Sequence, residues 1–283
     1  MATKILVTGA TGQLGQTFQE KSKATPDHLE FVFVSRADLD ITNSEAINAF
    51  FSTHDFDYCI NCAAYTNVEL AESEPDQAYK INAEAVKSLA EVCEIHNTIL
   101  VHISTDYVFD GSKTSPYNET DQTNPLNAYG ASKLKGEQYI AELLSNYFII
   151  RTSWLYSPYG KNFAKTIASK LQNNEPLKIV TSETGTPTSC ADLAEFILFL
   201  ITNKTEDFGL YHFSASGETT WYGFAQQIAK KLNKTELVSP VDSFPVKAKR
   251  PRYSVMDNQK ANNLMQKSFD WRNSVDAVID QLY

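Results

Sequence analysis

The stretch "KILVTGATGQLG", Lys4 to Gly15, decides the fold. An apolar run, Ile5 to Val7, leads into Gly9, Gly12 and Gly15 at three-residue spacing, and the helix-forming "GQTFQEKSK" follows. Glycine lets a backbone turn tightly and approach a pyrophosphate. The helix behind it offers free N–H groups and the positive end of its dipole. A glycine or two at a strand–helix turn is common. Here the strand precedes, the helix follows, and a repeating pattern opens from this point, which makes the signal specific. Gly9, Thr11, Gly12, Gln13 and Leu14 are therefore candidates to hold a dinucleotide.

Outward from that loop, short apolar runs alternate with amphipathic stretches. Strands are expected at 4–9, 30–35, 58–64, 99–105 and 147–153. Helical patterns lie between them, and strands alternating with helices predict a parallel sheet covered on both faces. After Arg151 the pattern loosens, with more Thr, Ser, Pro and aromatics. "DLAEFILFLI" and "GLYHFSAS" still read as helix then strand and are expected to rejoin the sheet. "TTWYGFAQQIAKKL" and "WRNSVDAVIDQLY" read as helices outside it. The fold class expected is α/β: a Rossmann-type doubly wound parallel sheet with a smaller, discontinuous C-terminal α/β substrate domain. The boundaries expected are 1–156 and 190–215 for the NAD(P)-binding part, 157–189 and 216–283 for the substrate part.

Bulk properties narrow the partners. A formal charge of -9 disfavours nucleic acid, whose phosphates need a basic surface. The longest apolar run, "FILFLI", has six residues, far short of the ~18 of a membrane span. The N-terminus lacks the pattern of a signal peptide, so a cytoplasmic location is expected. Cys59 and Cys62 form a C-x-x-C, but on a strand residues i and i+3 face opposite ways, and no second Cys/His pair completes a metal site. Core thiols are the reading.

The second strand ends at "VSRADLDI". An acidic side chain here holds a ribose 2′-hydroxyl, whereas a basic one accommodates a 2′-phosphate. Arg36 thus favours NADPH, and Asp38 keeps NADH open. Asp40 and Ile41 fall near the adenine, Asp40 as an acceptor for its amino group. Ala63, Ala64 and Tyr65, where the third strand runs out, complete the cofactor candidates.

"AYGASKLKGE" sets Tyr129 and Lys133 four residues apart, on one face of a helix. A ketone that accepts hydride develops negative charge on oxygen, and a phenol can donate the proton. An unperturbed tyrosine, with pKa near ~10, is a weak acid. A cation about 4 Å away contributes on the order of 4 kcal/mol at an effective dielectric of 20, enough to lower that pKa by roughly two to three units. Lys133 is also a candidate to bind the nicotinamide ribose. With the glycine loop and "STDYVF", this pair resembles the extended short-chain dehydrogenases/reductases that act on nucleotide sugars. The resemblance adds Thr105, at the carboxyl end of "ILVHIST", as the third catalytic residue, bonded to the substrate carbonyl.

"NCAAYTNVELAESEP", "STDYVFDG", "RTSWLYSPYGKNFAKT", "GTPTS" and "RPRYSVMD" narrow the resemblance to the dTDP-4-dehydrorhamnose reductase family, in order along nearly the whole chain. It implies reduction of the 4-keto group of dTDP-6-deoxy-L-lyxo-4-hexulose to dTDP-L-rhamnose. Related dehydratases carry a Glu two residues after the active-site Thr, where this chain has Tyr107, so reduction without elimination is expected. The resemblance also places Val68 and Tyr107 near the sugar and Trp154 beside nicotinamide and hexose. In "KAKRPR", Arg250 suits the nucleotide pyrophosphate, with Arg252 as a possible helper. Some members of the family form magnesium-bridged dimers, but Gln16, Thr17 and Ala191 stand where acids are needed. The expectation is no metal, and a monomer or a metal-independent homodimer. Two other readings stay open: a reductase for another nucleotide-linked 4-keto sugar, and a non-catalytic subunit like the regulatory subunit of methionine adenosyltransferase.

Overall fold

Neighbouring residues of each strand enter different layers, as a sheet covered on both faces requires. The computed structural model describes residues 2–283. Its first half runs β1 (Thr3–Thr8), α1 (Gln13–Ser22), β2 (Leu29–Val34), α2 (Ser44–Ser52), β3 (Tyr58–Asn61), α3 (Val68–Ala71), α4 (Pro75–Tyr79), a π-turn (Lys80–Glu84), α5 (Ala85–Ile95), β4 (Ile99–Thr105), α6 (Ala128–Leu143) and β5 (Tyr147–Thr152). Ile5, Val7, Ile60, Val101, Phe148 and Ile150 pack toward one layer with Leu14 and Phe18 of α1. Leu6, Cys59, Leu100 and Ile149 pack toward the other, with Ile47, Leu89 and Ile140 of α2, α5 and α6. Burying one such Leu, Ile or Phe contributes about 1.5–3 kcal/mol.

The second half runs β6 (Leu155–Tyr156), α7 (Phe163–Gln172), β7 (Leu177–Val180), β8 (Thr184–Gly185), β9 (Thr188–Ser189), α8 (Cys190–Thr202), β10 (Gly209–His212), β11 (Thr219–Thr220), α9 (Trp221–Lys231), β12 (Val238–Val241), α10 (Gln259–Met265) and α11 (Trp271–Leu282). As expected, α8 and β10 return to the sheet. The six strands lie in the order β10-β5-β4-β3-β1-β2, all paired in parallel. Strand order reverses beside β1, so a crevice opens at the carboxyl ends of β1 and β3.

α7, α9 and α11 build a further core of their own, around Ile167, Leu171, Phe224, Ile228, Val275 and Ile279. There the sequence reading was incomplete: β7 and β12 pair in parallel, Leu177 opposite Val238. "LVSPV" is too short and too polar to announce itself as a strand. The third strand is also shorter than expected and stops at Asn61 rather than residue 64. Asn61 spends its side chain on Thr8 and His102 across the sheet, and the chain then turns out along the crevice.

Candidate active site

The loop after β1 has the shape its glycines imply. Gly9 sits at φ +65°, and a Cβ there would lie 2.7 Å from the Ala63 nitrogen. The main chains of the first and third strand ends therefore meet at van der Waals distance, which only glycine permits. A Cβ on Gly15 would lie 2.4 Å from the Gly9 carbonyl oxygen, so α1 starts flush against the loop. Gly12 caps α1 without any side-chain hydrogen bond, and the first-turn N–H groups face the crevice unclaimed by a cap. This cradle fits a pyrophosphate. Gln13 is held by Ser157 and Asn162, at 3.2 and 2.9 Å, which ties the loop to the start of α7.

α6 brings the two key side chains in. Asn127 caps it, accepting from the Gly130 N–H at 2.8 Å and donating to the Lys249 carbonyl at 2.8 Å. A Cβ on Gly130 would lie 2.1 Å from the Tyr107 carbonyl oxygen, and one on Gly136 2.2 Å from that of Asn82. Those two glycines let the helix lie directly on the end of β4 and on the π-turn. Tyr129 then meets Tyr107 edge-on at 5.9 Å between ring centroids. Thr105 accepts from the Tyr107 N–H and donates to Asp106 Oδ1, both at 3.1 Å. It also lies close enough to the Tyr129 phenol to pull its pKa down.

A cleft of about 570 Å³ joins these groups at the carboxyl ends of the strands. Among its lining residues are Gly12, Gln13, Leu14, Ala64 and Val68 from beyond the first and third strands, then Thr105, Tyr107, Tyr129, Lys133 and Trp154. Ten of the sequence candidates thus share one wall. Trp154 is held at φ +47°, a conformation costing a bulky residue about 1–3 kcal/mol. It stacks on Trp221 at 3.7 Å and 7°. Gly185 makes room for it, since a Cβ there would lie 2.7 Å from the indole. Trp221 was not singled out in the sequence. It reads there as the first residue of a helix, and nothing local reveals its partner.

The electrostatics differ from expectation in one respect. Burial raises the Tyr129 phenol to about 12, with Thr105 pulling the other way and Asp106 adding to the rise. The expected lowering by Lys133 is absent here because that ammonium turns beneath the helix. It donates to the Ile103 carbonyl at 2.5 Å and lies 3.2 Å from His102 Nε2. Burial brings Lys133 down to about 8, opposed by Glu137 and Cys62. Asp106, also unforeseen, is buried, and its carboxyl rises to about 7 through burial; Ser254 donates to it at 2.6 Å.

Other candidates sit elsewhere. Ile41 is 5% exposed within the α2/α5 core, so its side chain packs there instead of on an adenine. Asp40 accepts from Thr42 through Oδ1, and Arg36 Nε lies 3.2 Å from Oδ2. The carboxylate expected to receive the adenine amine thus already accepts on both oxygens. Asp38 folds back onto Ser35 at 2.7 Å. Arg36 itself projects from the surface just beyond β2. The Tyr65 main chain is clamped by Asn82, and its hydroxyl donates to Glu74. Thr11 lies exposed in the glycine loop. Arg250 pairs with Glu69 at 3.0 Å and reaches Glu183 at 4.0 Å, and its buried Nε has no partner. Among the described residues no three His, Cys, Asp or Glu side chains are grouped to hold a metal. Gln16 bonds the Thr11 carbonyl and Asp192 accepts from Ser274. No helix of these residues is long and apolar enough to cross a membrane.

Sheet order, glycine cradle and the Thr–Tyr–Lys cleft define the class: an extended short-chain dehydrogenase/reductase. Comparison with known proteins carries this further. The family model for the RmlD substrate binding domain matches residues 3–283. The dTDP-4-dehydrorhamnose reductase of Aggregatibacter actinomycetemcomitans is 36% identical, covering 97% of this chain and 98% of its own. The crystal structure of that enzyme from Bacillus anthracis, in complex with NADP, superposes with a TM-score of 0.94 at 37% identity, covering 99% of this chain and 100% of that one. A dTDP-4-keto-6-deoxy-D-glucose reductase of Streptomyces niveus is 36% identical over 90% of this chain and 89% of its own. The chain belongs to the dTDP-4-dehydrorhamnose reductase family, whose members are NAD(P)H-dependent oxidoreductases.

Proposed function

We propose that the protein reduces the 4-keto group of dTDP-6-deoxy-L-lyxo-4-hexulose with NADPH, giving dTDP-L-rhamnose. The observation that carries this reading is the convergence of Thr105, Tyr129 and Lys133 with the Trp154–Trp221 stack in one cleft beside the glycine cradle. When bound, the dihydronicotinamide supplies the hydride. Tyr129 gives its proton to the sugar oxygen. Thr105 bonds that oxygen as charge develops on it. Lys133, fixed beneath Tyr129, binds the ribose and replaces the proton. Gly9, Thr11, Gly12, Gln13 and Leu14 hold the pyrophosphate of the cofactor. Ala63, Ala64 and Tyr65 border it at the end of β3. Val68 and Tyr107 face the sugar. Arg250 exchanges Glu69 for the substrate's pyrophosphate, which its guanidinium fork suits. Incubating the protein and NADPH with dTDP-, GDP- and UDP-linked 4-keto sugars tests the reading. NADPH should be consumed only with the dTDP sugar, and consumption with another nucleotide alone would refute it. A dTDP-linked substrate of different sugar configuration is the second reading, favoured by the Streptomyces niveus relative.

NADPH is the proposed cofactor, with NADH as an alternative, on the strength of Arg36 standing beyond β2. Arg36→Ala is expected to raise the KM for NADPH far more than that for NADH. Equal effects would mean that Arg36 does not read the 2′-phosphate. The proposed division assigns residues 1–156 and 190–215 to the cofactor and 157–189 with 216–283 to the sugar nucleotide. The separate core of α7, α9 and α11 supports it. We further propose a cytoplasmic protein that acts without metal, as a monomer or metal-independent homodimer, on a small molecule and not on nucleic acid or membrane.

A further inference from the structure

Beneath Lys133 runs a buried line of side chains that the proposed reaction does not use. Thr8 donates to Asn61 Oδ1 at 2.7 Å. The Ala63 N–H reaches the same oxygen at 3.3 Å. Asn61 Nδ2 lies 3.1 Å from His102 Nδ1, and His102 Nε2 lies 3.2 Å from Lys133 Nζ. Thr8 and His102 are 0% exposed and Asn61 1%. Asn61 and Lys133 also border the cleft.

Its hydrogen bonding favours one assignment. A neutral imidazole has one donor and one acceptor, and an ammonium has donors only. With Oδ1 taken by Thr8 and Ala63, Asn61 turns its amide N–H toward Nδ1, which must therefore accept. The ring proton then sits on Nε2, aimed at Lys133. The geometry points to His102 as a positioning residue that sets the charge of Lys133: Asn61 fixes the Nε2–H tautomer, and that N–H favours the lysine as a neutral amine. The inference rests on the reading of Lys133 as part of the Thr105–Tyr129–Lys133 set. An amine at Nζ accepts from His102 and donates its own N–H to the Ile103 carbonyl. An ammonium there would face another donor with no water between them, unless the Asn61 amide turned over. That turn would cost the Ala63 N–H its Asn61 acceptor and leave it only the longer contact to Thr8 Oγ1, at 3.4 Å.

Titratable groups surround Lys133, and Arg151 of β5 holds the nearest carboxylate, Glu137. His102 faces Lys133 from β4, Cys62 from beyond β3, and Tyr129 and Glu137 from its own helix. Glu137 and Cys62 favour the charged form, while burial opposes it. Burial keeps His102 itself neutral, well below the usual histidine range. A lysine that holds its proton loosely near neutral pH can both bind and release it in each turnover. One at an ordinary ~10.4 releases it reluctantly.

The direct test is long-range proton–nitrogen NMR of the full chain labelled with ¹⁵N-histidine, with the five histidines assigned by single substitutions. His102 is expected to show the neutral Nε2–H pattern throughout about pH 6 to 9. An Nδ1–H or doubly protonated pattern would overturn the inference. This readout needs no turnover, so it stands or falls apart from the proposed substrate. A second test is Asn61→Asp, which places an acceptor at Nδ1 and reverses the tautomer. The alkaline limb of kcat against pH should then move up by about one unit or more, a tenfold or greater change in proton affinity. A limb that stays in place while kcat merely falls would mean that His102 and Asn61 serve packing alone.

Discussion

Tyr129→Phe is expected to lower kcat by ~10²–10⁴-fold, the usual contribution of a positioned proton donor, while NADPH binding is retained. Phenylalanine keeps the ring that packs edge-on against Tyr107 and removes only the proton. A phenol raised to about 12 is fully protonated at neutral pH, so the acid is in place before turnover. Thr105 is the group that pulls the phenol's pKa back down. The measurement is steady-state kcat beside a fluorescence titration of NADPH. Near-wild-type kcat would remove Tyr129 from the chemistry. Lost NADPH binding would show that its role is to hold the cofactor.

Glu137→Ala should have the largest effect on stability. Glu137 and Arg151 are buried, and the guanidinium grips the carboxylate through Nη2 at 2.7 Å and Nε at 3.0 Å. Ser104 donates to the same carboxylate at 2.5 Å. Removing one partner of such a pair strands the other charge without water, at about 3–5 kcal/mol. At roughly 2–4 °C per kcal/mol for a chain of this size, the thermal midpoint should fall by on the order of 10 °C. Glu137→Gln keeps two of the acceptor contacts and should lose less. A midpoint within a degree or so of wild type for Glu137→Ala would mean that water reaches Arg151. The pair also spans β5 and the helix carrying Tyr129 and Lys133, so kcat should fall with stability.

Much of this was legible because it is local. The Gly9–Gly12–Gly15 spacing, the Tyr129–Lys133 spacing and the alternation of strands and helices are short-range patterns, and each survives in the fold. What escaped is non-local. Trp221 meets Trp154 across a separation that no window spans. His102 and Asn61 read as ordinary strand polar residues until two strands are laid side by side. Asp106 was passed over because its burial depends on Ser254, from the far end of the chain. The sign of the Tyr129 shift was missed for another reason. Spacing places Lys133 on the right face but says nothing of where its amine points, and a backbone carbonyl of β4 claimed it. Ile41 shows the same limit of spacing: its place in the chain says nothing of its side chain, which turns into the core.

The central claim is reduction at carbon 4 of a dTDP-linked sugar, and one measurement addresses it most directly. The protein is supplied with dTDP-6-deoxy-L-lyxo-4-hexulose and NADPH deuterated at the transferable position, and the product is read by NMR. The account predicts dTDP-L-rhamnose with one deuterium, on C4 of the hexose. Deuterium at another carbon, the opposite configuration at C4, or unlabelled starting sugar beside undiminished cofactor would contradict it.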